Sequence, residues 1–512
     1  MPIQKALLSV SDKSGLAGFA ERLAALDIEL LSTGGTSKAL VEAELEVTEI
    51  DDYTGSPELF GGRVKTLHPK VHGGILHRRD NKDDLKDARK HDVPAIDLVV
   101  VNLYPFEETI RREGVTLEEA IEQIDVGGPT MIRAAAKNYK SVAIVVDPAD
   151  YDAVADELEA NDGETSLATR ERLAIKAFQR TAAYDTAIST YLNEEQRTGK
   201  TYNISLPLSD ELRYGENPHQ EARLYGNFGD YFVKLQGKDY SYTNILDMGA
   251  AAALISEFKR PAVAILKHTN PCGIGTDDTE LRAAWDKAYE TDKQAPFGGV
   301  IICNRPLDLA LARVISEIFT DIVIAPEYEA DARALLQKKK TRRLVQMKGD
   351  VSDWVDDPVI RSIPGGLAVM DADPKALGIT NLEEKVVTKR PPSESELAAM
   401  RFAWRVVKHV KSNAIVFAST DRTLAIGAGQ MSRVDAAKLA VWKGQEAGIS
   451  LEGSAVASDA MFPFPDGLVA AAEAGATCAI QPGGSMRDEE VIAAADEHGI
   501  AMCFTEKRHF LH

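Results

Sequence analysis

The feature that most constrains this chain is an alternation, over residues 1–147, of short apolar runs with amphipathic stretches. ALLSV (6–10), IELLST (28–33), DLVVVNLYPF (97–106) and SVAIVVD (141–147) read as buried strands. GLAGFAERLAAL, SKALVEA and PTMIRAAAKN, between them, space their apolar residues as helices do. Strands apolar on both faces need cover on both faces. The alternation therefore predicts a parallel sheet between two layers of helix, its last strand ended by Asp147-Pro148.

Residues 150–200 break the pattern. YDAVADELEA and RERLAIKAFQRTAAYDTAISTYL are helical and polar, a plausible connector, and the polar run Asn193–Lys200, with Gly199 inside it, is a boundary signal. From about residue 203 the alternation resumes. AVAIL (262–266), GGVIICN (298–304), DIVIAP (321–326), AIVFA (414–418), TLAIGAG (423–429) and ATCAIQPGG (476–484) are strand candidates, with a long helix over 393–410. No fixed-period repeat is visible. The expected division is 1–147, a helical connector 148–200, and two α/β halves over 201–390 and 391–512, parting near the proline-bearing stretch 389–393.

At 512 residues, 44% hydrophobic and 27% charged, the chain can bury several cores. Its net charge of −20 disfavours nonspecific nucleic-acid binding. Nothing approaches the roughly 18 uninterrupted apolar residues of a membrane helix. Met1-Pro2-Ile3-Gln4-Lys5 does not open a secretory signal, so a cytoplasmic location is expected. Cys272, Cys303, Cys478 and Cys503 are scattered without a C-x-x-C pair, against both a disulfide scaffold and a cysteine zinc site. An acidic chain still binds anions where its basic residues converge.

Such convergence has three candidates. Ser32-Thr33-Gly34-Gly35-Thr36-Ser37 follows a strand and opens a helix, where backbone amides and the helix N-terminus favour an anion, although a plain structural turn reads equally well. Ser9-Val10-Ser11-Asp12-Lys13 repeats the theme after the first strand, and Gly62–Lys70 packs three cations and His68 into one loop. These loops would gather at the carboxyl ends of parallel strands, where ligands bind in such sheets. Asn102-Leu103-Tyr104-Pro105-Phe106 ends a further strand, and Asp125-Val126-Gly127-Gly128 precedes a helix carrying Arg133 and Lys137. A lysine partly buried beside other cations can exchange a proton near neutrality.

Lys267-His268-Thr269-Asn270-Pro271-Cys272-Gly273 is the other chemical stretch: a general base beside a cation, or a pair that merely caps a strand. Pro271-Cys272 echoes a zinc deaminase, but Gly275 stands where the second cysteine belongs. His68, His72 and His77 read as loop polar groups, not ligands.

Taken in order, SVSDKSG, STGGTSKAL, GGRVKTLHP, NLYPF, DVGGPTMIRAAAKN, RYGENPHQ, KHTNPCG, FGG, GAGQMSR and SDAMFPFPDG span essentially the whole chain. They resemble the bifunctional purine enzymes that join aminoimidazole carboxamide ribonucleotide (AICAR) formyltransferase to inosinate (IMP) cyclohydrolase. The resemblance implies an α/β chain: a methylglyoxal-synthase-like parallel-sheet domain, then a formyltransferase region of two cytidine-deaminase-like subdomains without zinc. It implies AICAR, formyl-AICAR and 10-formyltetrahydrofolate as small-molecule partners, no transition metal, and a homodimer with formyltransferase sites near the interface. By matching motif, Ser11, Asp12, Lys13, Thr33, Gly34, Gly35, Thr36, Arg63, Lys65, Thr66, Asn102, Asp125 and Gly127 are similar to inosinate-site residues. Lys137 corresponds to the proton-transferring cyclohydrolase lysine, with Lys65, Tyr104 and Asp125 assisting. Lys267 and His268 correspond to the formyltransferase pair; Arg213, Tyr214, Gly298, Asp321, Asn413, Arg433 and Arg508 to AICAR contacts. Asp466, the Met461 backbone and the turn Pro482-Gly483-Gly484-Ser485 correspond to folate contacts. Met461 stands where some relatives have an aromatic residue, and the segment between GAGQMSR and SDAMFPF is short. A metal-free nucleotide hydrolase or lyase, and a nucleotide-binding regulator, are the competing readings; the regulator has no use for Lys267-His268.

Overall fold

The computed structural model describes residues 2–196, 200–349, 357–373 and 376–512. Contacts divide the chain into two compact units, Met1–Leu206 and Pro207–His512.

In the first unit the strands are β1 (Lys5–Ser9), β2 (Glu29–Ser32), β3 (Thr48–Glu49), β4 (Leu98–Val101) and β5 (Ala143–Val145). They pair in parallel throughout, in the order β3-β2-β1-β4-β5. Every residue of β4 is buried, as a strand covered on both faces requires. The apolar run 97–106 stops being strand at Val101 because the Asn102 side chain bonds a neighbouring loop and Phe106 opens a short helix, Phe106–Thr109. β3 was not expected; its two residues are too short to leave a pattern. In this order the placement of successive strands switches from one side of β1 to the other between β1 and β4, and the loops leaving β1, β2 and β4 share one end of the sheet.

The helices Tyr151–Ala160 and Leu167–Gln196, expected as a connector, pack into this unit: Leu158, Leu173, Ala177 and Tyr184 belong to its apolar core. Their apolar residues recur at helical spacing and so need a partner face. The boundary run Asn193–Lys200 includes residues 197–199, which lie outside the described residues.

The second unit opens with a hairpin of β6 (Leu208–Leu212) and β7 (Ala222–Tyr225). Its larger sheet comprises β8 (Phe232–Gln236), β9 (Ala262–Lys267), β10 (Asn270–Thr276), β11 (Val300–Cys303), β12 (Ile322–Ala325) and β13 (Arg343–Met347), ordered β10-β9-β11-β12-β13-β8. An exposed hairpin follows, β14 (Val359–Ile363) with β15 (Gly366–Met370). The last sheet comprises β16 (Ile415–Ala418), β17 (Thr423–Gly427), β18 (Ala455–Ser458), β19 (Cys478–Gln481) and β20 (Ala501–Phe504), ordered β17-β16-β18-β19-β20.

The two sheets repeat one plan that no sequence period announces. In each, an antiparallel hairpin (β9-β10, β16-β17) precedes three parallel strands. In each, a helix lies so close on the outer hairpin strand that only glycine fits. A Cβ on Gly273 would stand 2.1 Å from the Ala288 carbonyl oxygen, and one on Gly427 1.9 Å from that of Ala436. The stretch 389–393 ends at Ser393, which caps the helix Glu394–Val407 through a capping box with Glu396. Each half has an apolar cluster of its own, one around Ile301 and Leu311 and one around Phe417 and Phe462, and a third cluster joins the halves. Ala264 and Leu266 of β9, Val416 of β16, Met248 and Trp404 all lie in one apolar cluster. Among the described residues no helix is long and apolar enough to cross a membrane.

Candidate active sites

At the carboxyl end of the first sheet, side chains lock three loops together. Asn102 accepts from the Ser11 and Asp12 amides (2.6 and 3.0 Å) and donates to the Asp12 carbonyl (2.8 Å). Thr36 Oγ1 accepts from the Val10 amide and donates to the Val10 carbonyl, 3.0 Å each. Thr36 sits in the first turn of the helix Gly34–Glu42, which no side chain caps. A Cβ on Gly34, whose φ is +45°, would lie 3.1 Å from Lys65 Nζ; one on Gly35 would lie 3.9 Å from Lys13 Nζ. Two ammonium groups therefore stand beside an uncapped helix N-terminus, the composition of an anion site.

Thr66 adjoins this place, its Oγ1 3.0 Å from where a Gly127 Cβ would be. Asp125 Oδ1 accepts from the Gly128 amide (2.8 Å), and its carboxylate is also bonded by the Tyr104 and Gly127 amides. Burial nevertheless pushes the Asp125 pKa above the ordinary carboxylate range, with those amides pulling it down.

The basic loop is paired within the chain: Arg63 with Glu122, Lys65 with Glu58, and Lys70 with Asp92 at 3.2 Å. Lys137 is not partly buried. It is exposed, the last residue of the helix Gly127–Lys137, about 15 Å along the axis from Gly127. The three histidines lie on or beside a helix, Pro69–Leu76, which His68 caps by accepting from the Lys70 amide. Among the described residues no group of three or more His, Cys, Asp or Glu is arranged to hold a metal.

In the second unit Lys267 ends β9 and Asn270 starts β10, so His268 and Thr269 form a two-residue hairpin turn. Both have left-handed backbones, φ +52° and +63°. Glycine and asparagine favour that conformation and histidine tolerates it; a β-branched threonine there is an outlier and marks a place worth a function. Lys267 Nζ donates to the Phe297 carbonyl (2.8 Å), beside Gly298. The Thr269 amide donates to Asp247 Oδ1 (2.6 Å), and the Lys411 amide to Asn270 Oδ1 (2.9 Å). Lys267 and His268 line a cleft of about 230 Å³ with Asn270, Cys272, Asp292 and Lys443. Burial pushes the Cys272 thiol up to about 12, so it stays protonated near neutral pH.

A larger cleft, about 1030 Å³, gathers Asn413, Arg433, Met461, Asp466, Pro482, Gly483, Gly484 and Arg508. Met431, Phe464 and Phe510 add apolar wall. Gly483 has φ +72°, and a Cβ there would meet the Phe504 ring at 2.4 Å, which explains the glycine in that turn. Arg433 is buried and committed: it donates to Asn413 Oδ1 and Ser458 Oγ (2.8 Å each) and pairs with Asp459. Asp321 is held by Arg343 (2.7 Å) and Asn244 (3.0 Å). Arg213 and Tyr214 begin the RYGENPHQ loop, with the Arg213 guanidinium over the Tyr214 ring at 5.2 Å. Arg213, Tyr214, Gly298 and Asp321 line neither cleft.

Sequence reasoning missed Asp247, Asn244, Arg343 and Tyr184. Tyr184 is fully buried; its hydroxyl accepts from the Asp125 amide and donates to the Gln123 carbonyl, 2.9 Å each. Asp247 did leave a signal, as the sole charge in the helix segment YTNILDMGAAAALI.

Comparison with known proteins agrees in both halves. The family described as AICARFT/IMPCHase bienzyme matches residues 135–443, and the MGS-like domain matches residues 15–130. "Bifunctional purine biosynthesis protein PurH" of Chloroflexus aurantiacus is 55% identical over 100% of this chain and 99% of the relative. The proteins of the same description from Chlorobium phaeobacteroides and Magnetococcus marinus are 52% and 50% identical, each over 100% of this chain and 99% of their own.

Proposed function

The chain belongs to the AICARFT/IMPCHase bienzyme family, and from that premise we propose which of its residues carry each reaction. It is a bifunctional enzyme of de novo purine biosynthesis, an AICAR formyltransferase and an IMP cyclohydrolase, with 10-formyltetrahydrofolate as formyl donor.

Formyl transfer falls to the hairpin turn. The 5-amino group of AICAR is a poor nucleophile, its lone pair delocalised into the ring and carboxamide. His268 removes its proton as it attacks the formyl carbon, and the Lys267 ammonium, steadied by the Phe297 carbonyl, stabilises the developing oxyanion or protonates the departing folate nitrogen. Arg213 and Arg508, both exposed, hold phosphate and carboxamide, with Tyr214, Gly298 and Asp321 as further AICAR contacts. Arg433, already committed to Asp459, serves by fixing Asn413. The wall at Met461, Asp466 and the 482–485 turn receives the folate.

Ring closure falls to the first unit. Ser11, Asp12, Lys13, the 33–36 loop, Arg63, Thr66, Asn102 and Gly127 hold formyl-AICAR. Asp125, Lys65 and Tyr104 move protons as the carboxamide nitrogen attacks the formyl carbon and water leaves. Lys137, exposed at the end of the helix Gly127–Lys137, is the proton-transferring lysine by its matching motif, with those three groups assisting.

The left-handed His268-Thr269 turn, with Lys267 at the strand end beside it, is the observation that carries this assignment. His268→Ala tests it by two assays on one preparation: formyl transfer should collapse while cyclisation of supplied formyl-AICAR persists. Formyl transfer within a few-fold of the parent would overturn it. The assignment extends to a cytoplasmic homodimer with formyltransferase sites near the interface, supported by the exposed apolar hairpin bearing Ile363, Leu367 and Met370. Sedimentation should find two chains per particle; a monomer with full formyl-transfer activity would refute it. Neither reaction is assigned a transition metal, because the sequence lacks the deaminase P-C-x-x-C, Gly275 standing where its second cysteine belongs.

A further inference from the structure

The His268-Thr269 turn adopts an unfavourable conformation without glycine, so something outside the hairpin has to hold it. A two-residue turn with both backbones left-handed suits Asn-Gly, and a β-branched residue in that region is an outlier. Local bonds contribute: Thr269 Oγ1 and Asn270 Nδ2 both donate to the His268 carbonyl (2.7 and 3.2 Å). They come from the turn itself and do not anchor it to the fold. The Thr269 amide is anchored, by Asp247 Oδ1 at 2.6 Å, from the middle of the helix Tyr242–Ile255. That helix buries Met248, Ala251 and Ala252, so Asp247 stands on a fixed base. An isolated carboxylate in an apolar helix costs desolvation energy, and a purely structural site would be served as well by a neutral side chain.

We propose that Asp247 is a positioning residue for formyl transfer: by accepting the Thr269 amide it keeps the turn left-handed and aims the His268 imidazole at the AICAR amine. This rests on the assignment of His268 as the base, and the two can fail separately.

The experiment compares Asp247→Ala, Asp247→Asn, Asp247→Ala/Thr269→Gly and His268→Ala in the full chain, reading kcat and AICAR KM for formyl transfer, with cyclisation as a second readout. A reacting group misplaced by about 1 Å loses on the order of 10²-fold in rate, so Asp247→Ala should lower kcat about that much with KM within about threefold. Asp247→Asn keeps an acceptor oxygen and should lose only several-fold. Glycine takes φ > 0 without penalty, so adding Thr269→Gly to Asp247→Ala should restore about tenfold. Should Asp247→Ala fold poorly, Asp247→Asn still decides: as crippled as His268→Ala, it would mean the charge matters and the bond does not, and positioning is wrong. Asp247→Ala at parental kcat, with His268→Ala crippled, overturns positioning alone. His268→Ala at parental kcat overturns the base assignment instead. No gain from Thr269→Gly also sinks the proposal.

Discussion

The proposed ring-closing site and the proposed formyl-transfer site are held in opposite ways. The first occupies a place that any parallel α/β sheet offers, where loops leave the carboxyl ends of neighbouring strands and a helix N-terminus faces them. Its fixings are ordinary side-chain-to-backbone bonds, Asn102 to Ser11 and Asp12, Thr36 to Val10, Asp125 to Gly128. The second, as proposed, puts its base on a hairpin turn whose other residue is a β-branched threonine in a left-handed backbone, with a carboxylate from a separate helix bonded to that threonine's amide. A site that follows from topology tolerates loss of a single fixing. A site that rests on local strain fails when one fixing goes.

His268→Ala should give the widest separation between the two. A positioned general base contributes about 10²–10⁴-fold, so formyl transfer should fall by that factor with ring closure intact. Equal loss of both activities would mean misfolding and erase the contrast. The matching change in the first unit is Tyr184→Phe, which leaves the Asp125 amide and the Gln123 carbonyl without their shared hydroxyl. Leaving buried polar groups unpaired costs about 1–3 kcal/mol, so thermal unfolding of the first unit should shift down. Ring closure should fall about tenfold and formyl transfer hold. If cyclisation fell as far as formyl transfer does in His268→Ala, the first site would be no more tolerant than the second. The smallest effect, none on either rate, is expected from dialysis against a strong chelator. Activity lost and regained specifically with zinc would reopen the deaminase chemistry that the sequence argues against.

The same contrast explains what the sequence made legible. Loops such as STGGTSKAL and KHTNPCG are contiguous, so their residue types announced themselves. The strands of the first sheet other than β3 were visible because burial on both faces makes their central residues apolar. β10 was not, since NPCGIGT has the proline and glycines of a loop; those glycines are there because a helix presses on the strand. Asp247 and Tyr184 were missed because their partners stand 22 and 59 residues away, a distance no local pattern spans. Lys137 was read from its motif alone. Helix geometry, one residue every 1.5 Å, carries it to the far end from Gly127. The shared core of the second unit was hidden because its two halves repeat a topology and not a sequence.

The ion pairs of the basic loop bear on how a phosphorylated substrate would enter. In a chain of net charge −20, long-range forces push an anion away. Arg63 and Lys65 do not confront it as bare cations, because Glu122 and Glu58 already hold them. A phosphate arriving there exchanges one anionic partner for another. What it gains is the difference between two ion pairs, and the carboxylates it displaces swing into water, where they are well solvated. The loop then behaves as a counter-ion exchanger: it discriminates by the geometry of the incoming oxygens, and its affinity should respond only weakly to added salt.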